Sequence, residues 1–279
     1  MTMSHTMKEA TRSTLAAIWN MRPESAGNRI IYYHSVHPSQ DLSITPANFK
    51  SHIRTAKELG YRFITHKQIP SEIDRAKHQH QEPWLAIGFD DGYEDNFEYA
   101  CPVLNDEGVS ATFFVVAGQV GQSNEYPANG YQLYPARRML STKQLRSMAL
   151  SGHEVASHGL QHELATAVLE GKRDLAKEYR VSRDLLSEWS GEDVVSYSYP
   201  NGQRGAFSSD TRKATKAAGF QSASVTTWGR VDAGTDPFLL PRCEIAAEDS
   251  AATLRAKLTG KLDYLHFAHR VRRSPTWVA

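Results

Sequence analysis

An α/β fold with a largely parallel sheet is predicted by three features of this 279-residue chain. Apolar, strand-like runs alternate with segments of helical periodicity along most of its length, and such alternation implies parallel strands joined through helices. Hydrophobic residues make up 40% of the sequence, enough to bury a substantial core. No internal repeat or low-complexity block interrupts the pattern. About seven strand-like runs are present, a number that can close into a barrel.

Taken in order, the segment RIIYYHSV (29–36) reads as a buried strand. Residues 45–60 read as a helix with both ends marked: Thr45 as cap, Pro46 in the first turn, Phe49, Ile53, Ala56 and Leu59 on one face, and Gly60 as the stop. YRFIT (61–65) is a second strand and WLAIGFD (84–90) a third, followed by a helical region broken near Pro102. VSATFFVVA (109–117) is the strongest strand of the chain. A loop rich in Gly, Asn, Pro and Tyr spans 118–139, and loops of that length are usually functional or mobile. STKQLRSMALSG (141–152) reads as a helix, HEVAS (153–157) as a strand, and 162–189 as a helix in two pieces joined near Gly171. VVSYSYP (194–200) and FQSASVTT (220–227) are strands on either side of the helix SSDTRKATKAAG (208–219), and AATLRAKLTG (251–260) is a late helix.

A formal net charge of +1 gives no electrostatic reason to expect nucleic acid or an acidic membrane as partner. No apolar run approaches the roughly 18 residues that span a bilayer. The first 25 residues lack a secretory apolar region, because LAAIW is short and Lys8, Glu9 and Arg12 precede it. Cys101 and Cys243 read as free thiols rather than a disulfide framework. Together these features lead to the expectation of a cytoplasmic protein without a membrane span. Nothing in the sequence fixes an oligomeric state.

The chemistry is concentrated in two stretches. In LAIGFDDGYEDN (85–96) an apolar strand ends in Asp90 and Asp91, followed by Gly92. Turn or capping chemistry accounts for such a pair in ordinary proteins. Like charges side by side also make one carboxyl resist ionisation. In ASHGLQHEL, His158 and His162 follow the strand HEVAS at a spacing that, at a helix start, puts two imidazoles on one face and suits a single metal ion. Both stretches sit at strand C-terminal ends, where barrel enzymes keep their reactive residues. Two imidazoles and one carboxylate, with positions left for water, form a common catalytic metal arrangement. If one aspartate holds a dication, its neighbour can stay ionised and act as general base.

With these motifs the chain resembles the polysaccharide deacetylases, the NodB-homology domains of carbohydrate esterase family 4, over roughly residues 28–245. FDDGYEDN matches the family's first motif and SHGLQH its second; ATFFVVAGQVG and LSTKQLRSMALSGHEVASH match the framework between them. YSYPNG stands where the third motif belongs, and DPFLLPRCEI resembles a late Leu-Pro-Arg segment. The resemblance implies a single distorted (β/α)7 barrel over residues 28–260, with an N-terminal extension (1–27) and a C-terminal tail (261–279). It implies a metal-dependent hydrolase that removes N-acetyl, sometimes O-acetyl, groups from a sugar or glycan precursor. Asp91, His158 and His162 would hold a divalent ion, most naturally Zn2+, with Co2+ or Ni2+ also fitting the donor set. Asp90 would be the base, and the backbone N–H of Asn201, after Pro200, would bind the oxyanion.

Two departures from the family pattern shape the remaining expectations. Ser198 stands where the third motif usually carries the arginine that orients the base; Arg242 is the substitute, with a plain structural salt bridge as its alternative. The late Leu-x-His motif is not evident near the C-terminus; His266 and His269 are candidates for its acid histidine by position, but their segment reads more like an amphipathic, solvated helix. A better match is the N-terminal Tyr-His strand of circularly permuted members, which makes His34 the acid. Trp228 and Asp232 stand in for the fourth motif with altered spacing, Trp228 as an acetyl-pocket wall or an ordinary packing aromatic, and Tyr131 and Tyr134 are candidates to stack on a sugar ring. Two other functions share this sequence: hydrolysis of a small cyclic amide or imide, which a closed, Arg-lined pocket would favour, and carbohydrate binding without catalysis, which has no need of a base beside a metal ligand.

Overall fold

The computed structural model describes residues 24–39, 42–79, 82–123, 137–171 and 174–263. Its strands are β1 (Arg29–Tyr33), β2 (Arg62–Ile64), β3 (Trp84–Phe89), β4 (Thr112–Val115), β5 (Glu154–Ser157), β6 (Ser196–Ser198), β7 (Ser222–Val225), β8 (Leu240–Pro241) and β9 (Cys243–Glu244). They lie in the order β8-β7-β6-β5-β4-β3-β1-β9, and every pairing among them is parallel. Only Arg242 separates β8 from β9. β8 pairs with β7 and β9 with β1, so the stretch 240–244 closes the sheet on itself. Counting that stretch as one stave gives the seven-position barrel that the family resemblance implies. β2 is an additional, wedged strand. It pairs with Trp84–Ala86 of β3 while β4 pairs with Gly88 and Phe89, on the edge that β1 leaves free.

The helices surround the ring: α1 (Pro46–Glu58), α2 (Ile69–Ala76), α3 (Cys101–Asp106), α4 (Thr142–Leu150), α5 (Ala165–Glu170), α6 (Leu175–Ser190), α7 (Ser209–Ala217) and α8 (Ala251–Leu258). Their ends follow the capping chemistry of the sequence. Thr45 accepts from the N–H of Asn48 at the start of α1, Ser141 and Gln144 form a capping box on α4, and Gly191 closes α6 in the left-handed conformation. No helix among the described residues is long and apolar enough to cross a membrane.

Side chains alternate across each strand. One face, with Ile31, Tyr33, Leu85, Ile87, Phe89, Phe113 and Val115, packs against helix residues such as Phe49, Ile53, Leu104 and Leu145. On the other face a small cluster, Ile30, Ile64, Trp84, Ala86, Val231 and Leu240, plugs the barrel near the strand starts. Elsewhere the interior is polar: Thr112 donates to Glu154 at 2.9 Å, and Ser222 donates to Ser196 at 3.4 Å.

Two local expectations are corrected, and three elements arise that the sequence pattern did not announce. The helical region at Pro102 is widened rather than broken. Residues Asn96–Ala100 form a π turn, closed by the Cys101 N–H on the Asn96 carbonyl, and α3 continues from it. Proline has no N–H to give and its ring crowds the preceding turn, and a wider turn relieves both problems. α2 and the closing pair β8 and β9 had no clear signature: α2 is eight residues with few apolar positions, and each closing strand is two residues, one containing Pro241. Residues 162–164 are not helical, and α5 begins at Ala165.

Candidate active site

Asp90 follows directly on β3, and its N–H donates to the Tyr33 carbonyl at 2.9 Å, which fixes it at the mouth of the ring. Both of its carboxylate oxygens are taken by Arg242, Nη1 to Oδ1 at 2.7 Å and Nη2 to Oδ2 at 2.8 Å. The two side chains are almost fully buried, 0% exposed for the arginine and 4% for the aspartate. The guanidinium lies over the rings of Tyr32 and Phe114, 4.3 and 5.3 Å from their centroids. The guanidinium thus forms a buried, bidentate ion pair with Asp90, a geometry that fits both roles expected for Arg242. Burial alone would raise the Asp90 pKa, but the charge of Arg242, with His158 and His34 adding to it, holds the carboxyl below its ordinary value.

A first prediction follows from this pair. Arg242→Met is expected to destabilise the fold by roughly 3–5 kcal/mol, because Asp90 is left buried and charged without its partner. The pair's stabilisation is present above the ordinary carboxylate pKa and is lost as pH falls through the lowered folded value. Denaturant titration across pH measures both. An Arg242→Met protein as stable as the parent would show that the pair contributes nothing, whereas partial recovery in Asp90→Asn/Arg242→Met identifies the orphaned charge as the cause.

Asp91 lies next along the chain and faces elsewhere. Its φ of 74° is in the left-handed region, as is that of Gly92, and this turn swings the two carboxylates apart. Asp91 Oδ1 lies 3.5 Å from His158 Nε2 and 3.3 Å from His162 Nε2. Ligand atoms of the three residues all lie within 4.8 Å of one another. The histidines meet in a different way from the helical pairing expected. Residues 158–162 form a loop, His162 has φ of 56° and Gly159 has φ of 84°, and the two rings come edge to face at 5.0 Å. A helix starting at His158 would have spent the carbonyls of Gly159 and Leu160 internally. In the observed loop they accept from the N–H groups of Ala117 and Gly118, which ties the ligand loop to the end of β4.

The donor set fits a divalent metal. His158 Nδ1 bonds the Ser198 carbonyl at 2.8 Å, which leaves the Nε2 lone pair directed at Asp91. Burial pushes the His158 imidazole down to about 4, so it is neutral, as a ligand has to be. Burial works against ionisation of Asp91 too, but the hydrogen bond and charge of His162, with His34 and His158 behind it, outweigh it and hold the carboxyl well below its ordinary range. His162 moves the other way: burial lowers it, and the bond to Asp91 outweighs burial and raises it. The site therefore stabilises positive charge at the point where the three ligand atoms converge. Neither aspartate resists ionisation, contrary to the simple repulsion argument, because each has its own cationic partners.

His34 lies just past β1, half-buried, with its ring edge to face with Tyr32 at 5.6 Å. It is close enough to favour the ionised form of both Asp90 and Asp91. A cavity of about 210 Å³ borders it, lined also by Leu42, Ile44, Glu244 and Ala247. Asn201 is exposed beyond β6 with φ of 59°; its carbonyl accepts from Thr226 Oγ1 at 2.8 Å, which anchors the turn. Among the described residues, three of the four non-glycine residues with positive φ, Asp91, His162 and Asn201, are candidate site residues. Strain of this kind collects where a side chain or amide has to be aimed.

Other candidates are not drawn in. Trp228 Nε1 donates to Asp263, which also pairs with Arg29 at the start of β1, so Trp228 has the role of a packing aromatic. Asp232 organises its own turn by accepting from Gly234 and Thr235. Tyr131, Tyr134, His266 and His269 lie outside the described residues. Sequence reasoning passed over His66, a buried histidine in the barrel interior that burial and the Arg242 charge push down to about 3. It also passed over Asp95, Asn96 and Arg137, which are buried beside His34. Asp95 and Asn96 end the same GFDDGYEDN stretch that carries the aspartate pair.

The family profile for polysaccharide deacetylase matches residues 77–223, more than half of the chain, and takes in Asp90, Asp91, His158, His162 and Asn201. The poly-β-1,6-N-acetyl-D-glucosamine N-deacetylase of Staphylococcus epidermidis is 26% identical over 222 residues, covering 77% of this chain and 72% of that protein. YxkH of Bacillus subtilis, a provisionally named polysaccharide deacetylase, is 24% identical over 238 residues, covering 85% and 78%. The solved structure of IcaB from Ammonifex degensii has the same fold, with a TM-score of 0.69 at 23% identity, covering 85% of this chain and 98% of that one.

Proposed function

The chain belongs to the polysaccharide deacetylase family, and from that premise we propose that it is a metal-dependent hydrolase of N-acetyl groups on an N-acetylhexosamine glycan or glycan precursor, releasing acetate. The observation that carries this reading is the separation of roles between neighbours. Arg242 holds Asp90 as an oriented carboxylate, while Asp91 faces two histidines with a free ring nitrogen on His158. Asp91, His158 and His162 would hold the ion, with zinc the preferred occupant. When bound, it supplies Lewis-acid polarisation of the acetyl carbonyl and lowers the pKa of water.

The chain's own residues do the rest. Asp90 accepts the proton of the attacking water, and Arg242 keeps its two oxygens fixed while it does so. The Asn201 N–H, set by the strained turn after Pro200, supports the developing oxyanion. His34 gives a proton to the leaving nitrogen. Among the described residues, the cavity beside His34 is lined by aliphatic side chains and two acidic residues, Glu244 and Glu248, with no arginine. That lining speaks against the closed, Arg-lined pocket of a small-imide hydrolase. A base beside a metal ligand has no purpose in a protein that only binds carbohydrate.

The test is acetate release from β-linked N-acetylglucosamine oligosaccharides. Release is expected from protein as purified, to be abolished by a chelator, and to return when zinc, cobalt or nickel is restored. Release that persists after complete metal removal, or hydrolysis confined to cyclic imides, would overturn this function.

A further inference from the structure

We propose that Asp95 and Asn96 are positioning residues for the acid His34, acting with Arg137 as a buried cradle around the end of β1; this rests on the reading of His34 as the acid. Asn96 Nδ2 donates to the backbone carbonyl of His34 at 3.0 Å. One residue earlier, Asp95 Oδ2 accepts from the hydroxyl of Ser35, next to His34, at 2.6 Å. The same oxygen accepts from Arg137 Nη1 at 2.9 Å, and Arg137 also donates to Ser35. Ser43 completes the set, its hydroxyl 2.7 Å from that of Ser35. Two consecutive residues therefore hold two consecutive residues, 34 and 35, immediately after the last residue of β1.

Three further observations set this apart from an incidental contact. Asn96 is 0% exposed, Arg137 4% and Asp95 8%, so a charged pair has been taken out of water to build it. A buried pair of this kind is weak evidence for stability, and its best-attested use is to fix one geometry. Asn96 also opens the π turn described above, an irregularity that recurs at functional sites. Finally, the cradle begins four residues after Asp91, on the same continuous segment as the base and the metal ligand. The segment that carries Asp90 and Asp91 thus also sets where His34 stands. A carbonyl contact at residue 34 and a hydroxyl contact at residue 35 fix the backbone from which the imidazole projects, without occupying its ring nitrogens.

The experiment is a substrate-paired mutant cycle on the metal-loaded enzyme. Asn96→Ala is expected to lower kcat on an N-acetylated oligosaccharide by roughly 10–100-fold, with KM little changed, as misplacement of a catalytic group does. Hydrolysis of 4-nitrophenyl acetate, whose leaving group needs no acid, is expected to fall far less, with metal content retained. Ser35→Ala, a smaller change that removes only the hydroxyl, is expected to show the same substrate pattern at several-fold size; it carries the test if Asn96→Ala does not fold. In the His34→Ala background, Asn96→Ala is expected to add nothing on the amide, since it acts through that imidazole. Independent, multiplying losses in the double variant, or equal losses on amide and aryl ester, would overturn the cradle and leave His34 as the acid. Full amide activity in His34→Ala itself would remove the acid reading, and the cradle's purpose with it.

Discussion

Asp90→Asn is expected to keep its divalent ion and to lose turnover by roughly 10²–10⁴-fold, the range for removal of a general base. Asp91→Asn is expected to lose the ion itself. The two residues are neighbours of the same type, so a general effect of acidity or of folding would strike both alike. The structure separates them. Asp90 has both oxygens committed to Arg242, and Asp91 has one oxygen within 3.5 Å of two imidazole nitrogens. The side-chain amide introduced by Asp90→Asn would still be able to accept one hydrogen bond from the guanidinium, but it cannot accept the proton of water. Metal analysis of the two purified variants, with turnover measured beside it, reads both halves of the prediction. Equal metal loss in both variants is the result that removes the division of labour.

His34→Ala is the second large effect expected, roughly 10²–10⁴-fold on an amide. A sugar amine leaves poorly unless a proton reaches it as the carbon–nitrogen bond breaks. An aryl acetate expels a stable phenolate and has little need of the acid. The variant is therefore expected to cripple deacetylation of an N-acetyl sugar while retaining metal and most of its aryl-ester hydrolysis. Asp90→Asn, which lacks the base, is expected to fail on both substrates. If His34→Ala deacetylates normally and His266→Ala or His269→Ala does not, the acid comes from the C-terminal segment and the permuted reading is wrong.

The strands and long helices were legible because their signals are local. The face Phe49, Ile53, Ala56 with Thr45 before it needs no partner to be read, and α1 forms there. The ligand types were legible for the same reason: Asp90, Asp91, His158 and His162 stand in short motifs. What could not be read is how distant segments meet. The spacing of His158 and His162 is that of a helix, yet the carbonyls between them bond to residues 117 and 118, some forty residues earlier in the chain, and the pair becomes a loop. Two-residue strands such as β8 and β9 have no periodicity to detect; they exist because β7 and β1 offer edges on either side. Arg242 is legible in the sequence as a substitute for the missing third-motif arginine. Its bidentate geometry on Asp90 depends on that closure across 152 positions of sequence.

Closure through Arg242 also bears on the order of assembly. Pairings between neighbouring staves can form early, with loops of tens of residues, but β9 meets β1 only after more than two hundred residues have been gathered, and such long-range contacts are the slow ones in folding. The residue that bridges this seam is the one proposed to orient the base. On that proposal, a barrel that is collapsed but open at the seam leaves Asp90 without its clamp, and the chain is expected to be chemically silent until the last stave docks. Catalytic competence is then expected to arrive together with completion of the ring, with no turnover from a partly folded molecule.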